Sequence, residues 1–148
     1  MQAGGDRMDA FYNRTVTIWN RYESGGIWDN ETWYPTVIEN ARLIISRGNN
    51  IQKSGNSAAD SARLHIMDGV STADKPFLSY ADWIASEDKG SYYTLCANDM
   101  NFFTEGDTSG LTPGENFFKT VKAQVENCFL ISSVDRFEII PHWEIWGK

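Results

Sequence analysis

The chain offers few residues of the kinds that cleave bonds or hold metals, with two histidines and two cysteines in 148 residues. His65 and His142 lie on different predicted strands, and neither belongs to a Cys-x-x-Cys or His-Glu-x-x-His motif. Without such local ligand spacing, no metal site is predicted. Cys96 and Cys128 stand in apolar strand contexts, where a buried, unreactive thiol is the ordinary outcome. Catalysis by a Cys–His pair is therefore not expected.

Several carboxylates could be imagined as an acid–base pair of the glycosidase kind. They share turn-like surroundings, where acidic residues usually face water: Asp99, Glu105, Asp107 and Glu115. The glycines of the same region, Gly106, Gly110 and Gly114, are spaced too loosely for a phosphate-binding loop. We therefore predict no catalytic residue, no cofactor and no enzymatic activity.

Aromatic residues are abundant, with 6 Trp, 6 Tyr and 8 Phe. They favour a β fold, because large rings suit pleated surfaces. Six of them could form a platform for sugars, as in carbohydrate-binding β modules: Trp19, Trp28, Trp33, Tyr34, Trp143 and Trp146. The alternative, which we favour, places about half of these rings in the core and the others in protein–protein contacts.

Alternation of apolar and polar residues predicts the strands that position these side chains. The predicted strands are 14–22, 36–46, 61–67, 92–97 and 100–104. The second has an expected irregularity near Glu39 and Asn40. The first two are close enough in sequence to pair as an antiparallel hairpin.

The chain is predicted to close with one helix and two more strands. The helix spans Pro113 to Val125, with an apolar face formed by residues four apart, as at Phe117 and Val121. The closing strands alternate over residues 129–134 and 142–146, with a turn at Asp135-Arg136 between them. Both should share a sheet with strand 14–22, since an isolated pair of strands is only marginally stable.

These elements predict a mainly β fold: a small antiparallel β-barrel or sandwich, with one packed helix at about residues 113–125 and long loops. Residues 1–13 are expected to form a flexible N-terminal arm, and residues 14–148 a single domain. The formal net charge of −7 argues against nonspecific binding to nucleic acid. No apolar run approaches a membrane span and no signal peptide is evident, so synthesis in a cytoplasm and reduced cysteines are expected.

Two long connections, residues 47–60 and 68–91, are the natural places for contacts with a partner. Within the second, Ser79 is positioned to cap a short helix over residues 79–85. Aromatic side chains there need a surface to cover them, either their own domain or a neighbour. The predicted assembly interface comprises Phe77, Tyr80, Trp83, Ile84, Asn50 and Ile51. The alternative for Trp83 is that it simply covers one end of the chain's own barrel.

An ordered set of segments resembles a known group of proteins. The set begins with Thr-Ile-Trp-Asn-Arg-Tyr in the first strand and Trp33-Tyr34-Pro35-Thr36-Val37. It continues with Ser57-Ala58-Ala59-Asp60 and with residues 98–107, Asn-Asp-Met-Asn-Phe-Phe-Thr-Glu-Gly-Asp. It closes with residues 129–135, Phe-Leu-Ile-Ser-Ser-Val-Asp, then His142-Trp143-Glu144-Ile145 and Gly147-Lys148. This set, over residues 15–148, resembles the small head–tail connector, head-completion or minor capsid proteins of tailed phages and prophages of Gram-positive bacteria. The chain departs from their pattern at Trp146, where a second glycine is expected, and in the length of its arm.

The resemblance implies a virion structural protein without catalytic residues. Proteins of this group form rings between the portal and the tail, and DNA passes through them without sequence-specific binding. The implied partners are further copies of the chain, the neighbouring portal or adaptor, and tail proteins. No membrane is implied. The implied location is the head–tail junction of the virion, with the host cytoplasm as the place of assembly.

Overall fold

The computed structural model describes residues 11–24, 30–48, 60–97 and 100–148. Within these residues the chain forms seven strands: β1 Arg14–Ser24, β2 Asn30–Ser46, β3 Ser61–Met67, β4 Thr72–Ala73, β5 Phe102–Glu105, β6 Cys128–Phe137 and β7 His142–Gly147. Two α-helices accompany them, α1 Tyr80–Ala85 and α2 Phe117–Gln124, together with a 3₁₀ helix at Lys89–Ser91. The fold is mainly β, as the sequence predicts.

The strand pairings close into a ring. All pairs of strands are antiparallel, in the order β1-β5-β6-β7-β3-β2, and β2 pairs back onto β1. Both β2 and β6 change neighbours along their length: β2 passes from β1 to β3, and β6 from β5 to β7. The ring is therefore not a regular barrel. The predicted pairing of the first two strands and the sharing of one sheet by both chain ends are confirmed.

The change of partner in β2 coincides with the irregularity expected near Glu39 and Asn40. Asn40 has φ 58°, in the left-handed region that Asn tolerates better than most residues. Residues up to Ala41 pair with β1, whereas the pairing with β3 begins at Arg42. The strand thus bends at a residue whose type permits it.

Two apolar clusters hold the sheet. The larger cluster joins the strands of the ring and includes Ile18, Leu64, Phe103 and Ile145, all fully buried. The smaller cluster lies between the sheet and α2. Its members are Trp19, Trp33, Phe102, Phe117, Val121 and Cys128. Phe102 and Phe103 are neighbours in β5 and serve different clusters, because successive side chains in a strand face opposite ways.

Several predictions for individual elements are wrong, among them that β2 begins at residue 36, since it begins at Asn30. Helix α2 begins at Phe117, not at Pro113, because Asn116 adopts φ 53° and interrupts helical geometry. Residues 92–97 form no strand beyond an isolated bridge of Tyr93 with Phe77. Strand β6 continues through the expected turn at Asp135-Arg136, since both residues pair with β7.

The segment that includes Tyr93 is held by buried side-chain hydrogen bonds instead of a strand ladder. The Asn20 side chain donates to the Thr94 carbonyl at 2.8 Å and accepts from the Thr94 N–H at 3.1 Å. Asn20 Nδ2 also donates to Asn101 Oδ1 at 3.1 Å. Asn20, Thr94 and Asn101 are all buried. One side chain thus replaces the backbone partners that a neighbouring strand would have supplied.

Candidate functional site

The predicted interface residue Trp83 is covered by its own chain. Helix α1 starts after Ser79, whose Oγ accepts from the Asp82 N–H at 3.3 Å, as predicted for its N-cap. The helix turns Trp83 against Tyr22 of β1 and Tyr34 of β2, with ring centroids 6.4 and 5.8 Å away. Trp83 is 0% exposed. Its ring supports α1 on the sheet and presents no surface to a partner in this structure.

The other predicted interface residues are partly available. Phe77 is 36% exposed and packs on Tyr93 and Trp143, at 5.5 and 5.0 Å between centroids. Tyr80 and Ile84 are half-buried. Asn50 and Ile51 lie outside the described residues. Phe77 is consequently the most open aromatic ring of this segment.

The six aromatic residues considered as a sugar platform are not brought together. Trp19 and Trp33 are buried beneath α2, and Tyr34 packs on Trp83. Trp143 and Trp146 are separated by three positions in β7, which places them on opposite faces of the sheet. Trp28 lies outside the described residues. The geometry provides no shared flat surface among the described members.

The described cysteines and carboxylates considered for catalysis differ in their surroundings. Cys96 and Cys128 are buried and form no disulfide, and burial raises the pKa of the Cys128 thiol to about 12. Glu105 accepts hydrogen bonds from Arg14 and Asn127. Asp107 accepts from the side chain and N–H of Ser109, which lowers its pKa. Glu115 is exposed, and Asp99 lies outside the described residues.

The most exposed large apolar side chain among the described residues, that of Ile139, lies at the end of the β6–β7 hairpin. We define residues 137–140, Phe-Glu-Ile-Ile, as the hairpin tip. Ile139 is 98% exposed, Ile140 60% and Phe137 43%. Exposed apolar residues are ordinary when isolated, but three within four residues form a patch. Such a patch indicates a contact surface.

The base of this hairpin is braced by polar contacts. Both carboxylate oxygens of Asp68 accept from Arg136, at 2.9 and 2.7 Å, and this pairing lowers the pKa of Asp68. The Asp68 N–H donates to the Pro141 carbonyl at 3.1 Å. Phe137 stacks on His142, with centroids 4.9 Å apart and planes 9° from parallel. The hairpin tip is therefore presented on a fixed support.

His65, His142 and Glu144 meet beside this support. His65 of β3 pairs directly with Glu144 of β7, and His142 precedes Glu144 by two residues on the same face. His142 Nε2 lies 2.9 Å from Glu144 Oε2, and its Nδ1 lies 2.6 Å from the Ile140 carbonyl oxygen. The two imidazole rings stack with centroids 5.6 Å apart.

The three groups have different electrostatic surroundings. Burial lowers the pKa of His65, assisted by Arg63 and Arg42, although Glu144 opposes the shift. Burial acts in the same direction on His142, but hydrogen bonds to Glu144 and the Ile140 carbonyl outweigh it and raise the pKa. The hydrogen bond from His142 lowers the pKa of Glu144. His142 and Glu144 thus form an ion pair when His142 is protonated.

Sequence reasoning placed these three residues on the correct strand faces but missed their meeting. The i, i+2 spacing of His142 and Glu144 was a usable signal, because it puts both on one face of a strand. The position of His65 next to Glu144 depends on the pairing of β3 with β7. The two histidines are 77 positions apart in sequence, and alternation within a strand does not specify which strand will be its neighbour.

The described helices include none long and apolar enough to cross a membrane.

Comparison with known proteins gives one family. The family model described as "Family of unknown function (DUF6751)" matches residues 11–148. The match includes every strand described above. No curated protein and no solved structure matches the chain.

Proposed function

Since the chain belongs to the DUF6751 family, for which no function is given, we propose from its own residues that it is a structural protein of a phage virion. In this proposal it is a head–tail connector of the adaptor, stopper or head-completion type. It assembles with further copies into a ring between the portal and the tail. DNA passes through that ring, whose subunits carry a formal net charge of −7 and do not hold the nucleic acid.

The exposed hairpin tip carries the proposal. Ile139 and Ile140 stand in water on a hairpin whose base is fixed by Asp68 and Arg136. A monomer gains nothing from presenting adjacent isoleucines in this way, whereas burial against a neighbour would remove apolar surface from water. Each subunit of a ring contacts its two neighbours through two different surfaces, and a projecting hairpin is suited to form one of these surfaces.

The segments quoted above as resembling connector proteins give further support. They include residues 129–135, which form most of β6, and every residue of β7 except Trp146. The small β fold with long connections also agrees with what that resemblance implies. The proposed location is the head–tail junction of the virion, with assembly in the host cytoplasm.

Complementation tests the proposal. The gene is deleted from the phage or prophage that encodes it, and particles are counted by electron microscopy after supplying each variant. We expect the deletion to leave filled or empty heads without tails, and the wild-type gene to restore joined particles. The gene should also lie between capsid or portal genes and tail genes. Normal joined particles from the deletion strain would contradict the proposal.

The hairpin tip is tested in the same assay. A double variant, Ile139→Ser with Ile140→Ser, removes apolar surface only at exposed positions. We expect it to fold normally and to fail at joining. The control is Ala123→Ser on the exposed side of α2, which should join normally. Normal joining by the hairpin variant would place the contact elsewhere on the molecule.

A further inference from the structure

We propose that His65, His142 and Glu144 form a binding site for a divalent zinc-like ion, which clamps β3 to β7 beside the hairpin tip. This inference is independent of the connector proposal. It concerns a site that the sequence motifs do not mark, since the ligands come from two strands that are distant in the chain.

The geometry is close to that of a three-residue metal site. The potential ligand atoms of the three side chains all lie within 4.8 Å of one another. Zinc binds imidazole nitrogen and carboxylate oxygen at roughly 2.0–2.2 Å, so ligand atoms around a tetrahedral ion stand roughly 3.4 Å apart. Side-chain rotations that move these atoms by about 1 Å would complete the site without changing the strand register. Two imidazoles and one carboxylate are ligand types that zinc accepts.

One of the four buried side-chain polar atoms without a hydrogen-bond partner among the described residues belongs to this site. Nε2 of His65 is buried without a hydrogen-bond partner. A buried polar atom in that condition destabilises the fold, and a bound ligand would remove that penalty. A metal ion bound by Nε2 would satisfy this atom.

The contacts of His142 prepare it for the same role. A backbone carbonyl can only accept, so the 2.6 Å contact of Nδ1 with Ile140 places the hydrogen on Nδ1. Nε2 is then the nitrogen that faces Glu144, at 2.9 Å, and it would release the proton that it donates to this carboxylate when it binds a metal ion. Metal-binding histidines commonly have their second nitrogen fixed by such a hydrogen bond. The same bond attaches the site to Ile140 of the hairpin tip.

The charges near the site are mixed, since Asp135 favours a cation and the nearby arginines oppose it. Asp135 of β6 pairs directly with Glu144, and two acidic residues opposite each other repel unless a positive charge lies between or beside them. The nearby arginines are turned toward aromatic rings. The Arg63 guanidinium lies 4.9 Å from the centroid of Trp146, and that of Arg42 lies 5.4 Å from Phe11.

Zinc titration of the purified full-length chain, free of any polyhistidine tag, tests this site. The chain has only two histidines, so their ring signals in NMR spectra are unambiguous reporters. We expect equimolar Zn²⁺ to shift the ring signals of both histidines and to raise the midpoint of thermal unfolding. Ring signals that stay unmoved at equimolar zinc would overturn the proposal, whatever the behaviour of any variant.

Variants assign the ligands. Calorimetric titration with Zn²⁺ should show that His65→Ala and Glu144→Gln each weaken binding by about 10-fold or more. Glu126→Gln removes an exposed carboxylate two residues beyond the end of α2, and this variant should bind Zn²⁺ as wild type does. Circular dichroism establishes that each variant is folded before titration. A folded Glu144→Gln protein with wild-type affinity would exclude Glu144 as a ligand and overturn the proposed site.

Discussion

The segment of residues 77–84 and the hairpin tip of residues 137–140 are both short and rich in apolar side chains, yet they end in opposite surroundings. Trp83 is 0% exposed, whereas Ile139 is 98% exposed. The first segment was the predicted partner surface, and its main ring is covered by its own sheet. The second drew no such prediction, and it is left in water. Apolar composition therefore indicates that a surface will be covered, but does not say by which chain.

The different outcomes follow from what each segment can reach. Residues 68–91 form a connection long enough to fold back, and Ser79 starts a helix that aims Trp83 at Tyr22 and Tyr34. The hairpin tip closes two strands that pair directly up to Phe137 and His142. Its turn is too short to fold over a neighbouring layer. Among the described residues, no segment covers Ile139.

The largest expected effect tests the covered side of this comparison. Trp83→Ala should lower the free energy of unfolding by about 3–5 kcal/mol, because it removes a fully buried indole and leaves a cavity. Chemical denaturation gives the value. Its matched control is Ile139→Ser, which should change the value by no more than about 0.5 kcal/mol. Equal effects of the two substitutions would abolish the distinction between the two segments.

A second substitution tests whether the apolar face of α2 is buried against the sheet or exposed to a partner. Phe117 is 3% exposed and its ring meets Trp19 at 4.8 Å and Trp33 at 5.3 Å between centroids. Phe117→Ala should cost on the order of 3 kcal/mol in unfolding free energy. Lys119→Ala on the same helix, at an exposed position, is the control. An unchanged denaturation midpoint for Phe117→Ala would mean that this face of α2 is open to a partner.

A smaller effect is expected at the base of the hairpin. Hydrogen bonds from Arg136 hold the pKa of Asp68 below its ordinary value. Because the folded pKa is the lower one, the pair stabilises the fold above the unfolded-state value of about 3.9, and this contribution is lost as pH falls through the folded pKa. Asp68→Asn should therefore lower the thermal midpoint at pH 7 by less than either aromatic substitution, as the pair is partly exposed.

The pH dependence separates this pair from a general loosening of the hairpin. The difference in thermal midpoint between wild type and Asp68→Asn should narrow as the pH is lowered, because wild-type Asp68 then becomes neutral as well. High salt should also reduce this difference in thermal midpoint, because it screens the attraction between Asp68 and Arg136. A difference that stays constant from neutral to acidic pH would show that the charge of Asp68 does not brace the hairpin.

Local patterns in the sequence predicted much of the fold. Alternation found β3 at its observed bounds, Ser61–Met67, and Ser79 was identified as a helix cap from its type and position. The errors arose where tertiary contacts override local preference. Residues 92–97 alternate like a strand, but the Asn20 side chain takes up the backbone hydrogen bonds of Thr94, and the backbone of Tyr93 bonds to Pro76 and Leu78. Helix α2 starts late because Asn116 takes a left-handed conformation, which spacing of apolar residues does not reveal.

The candidate sites were less predictable than the fold. The faces of His65, His142 and Glu144 could be read from period-two alternation, but the pairing that unites them depends on which strands are neighbours in the ring. The exposure of Ile139 and Ile140 was not predicted, because the end of β6 was placed too early in the sequence. Because a turn was expected at Asp135-Arg136, these isoleucines were assigned to no element. In the structure β6 extends to Phe137, so both isoleucines lie in the turn at the end of the hairpin.

The central claim is that the hairpin tip, and not the segment of residues 77–84, contacts a partner in the virion. Thiol labelling compares the two regions directly. Ile139→Cys and Ala81→Cys each place a thiol at an exposed position, while Cys96 and Cys128 are buried and react slowly. A maleimide reagent is applied to the free proteins and to assembled particles. We predict that both introduced thiols react in the free protein, and that only the thiol at position 139 is protected in the particle. Protection at position 81 with full reactivity at position 139 would contradict the account.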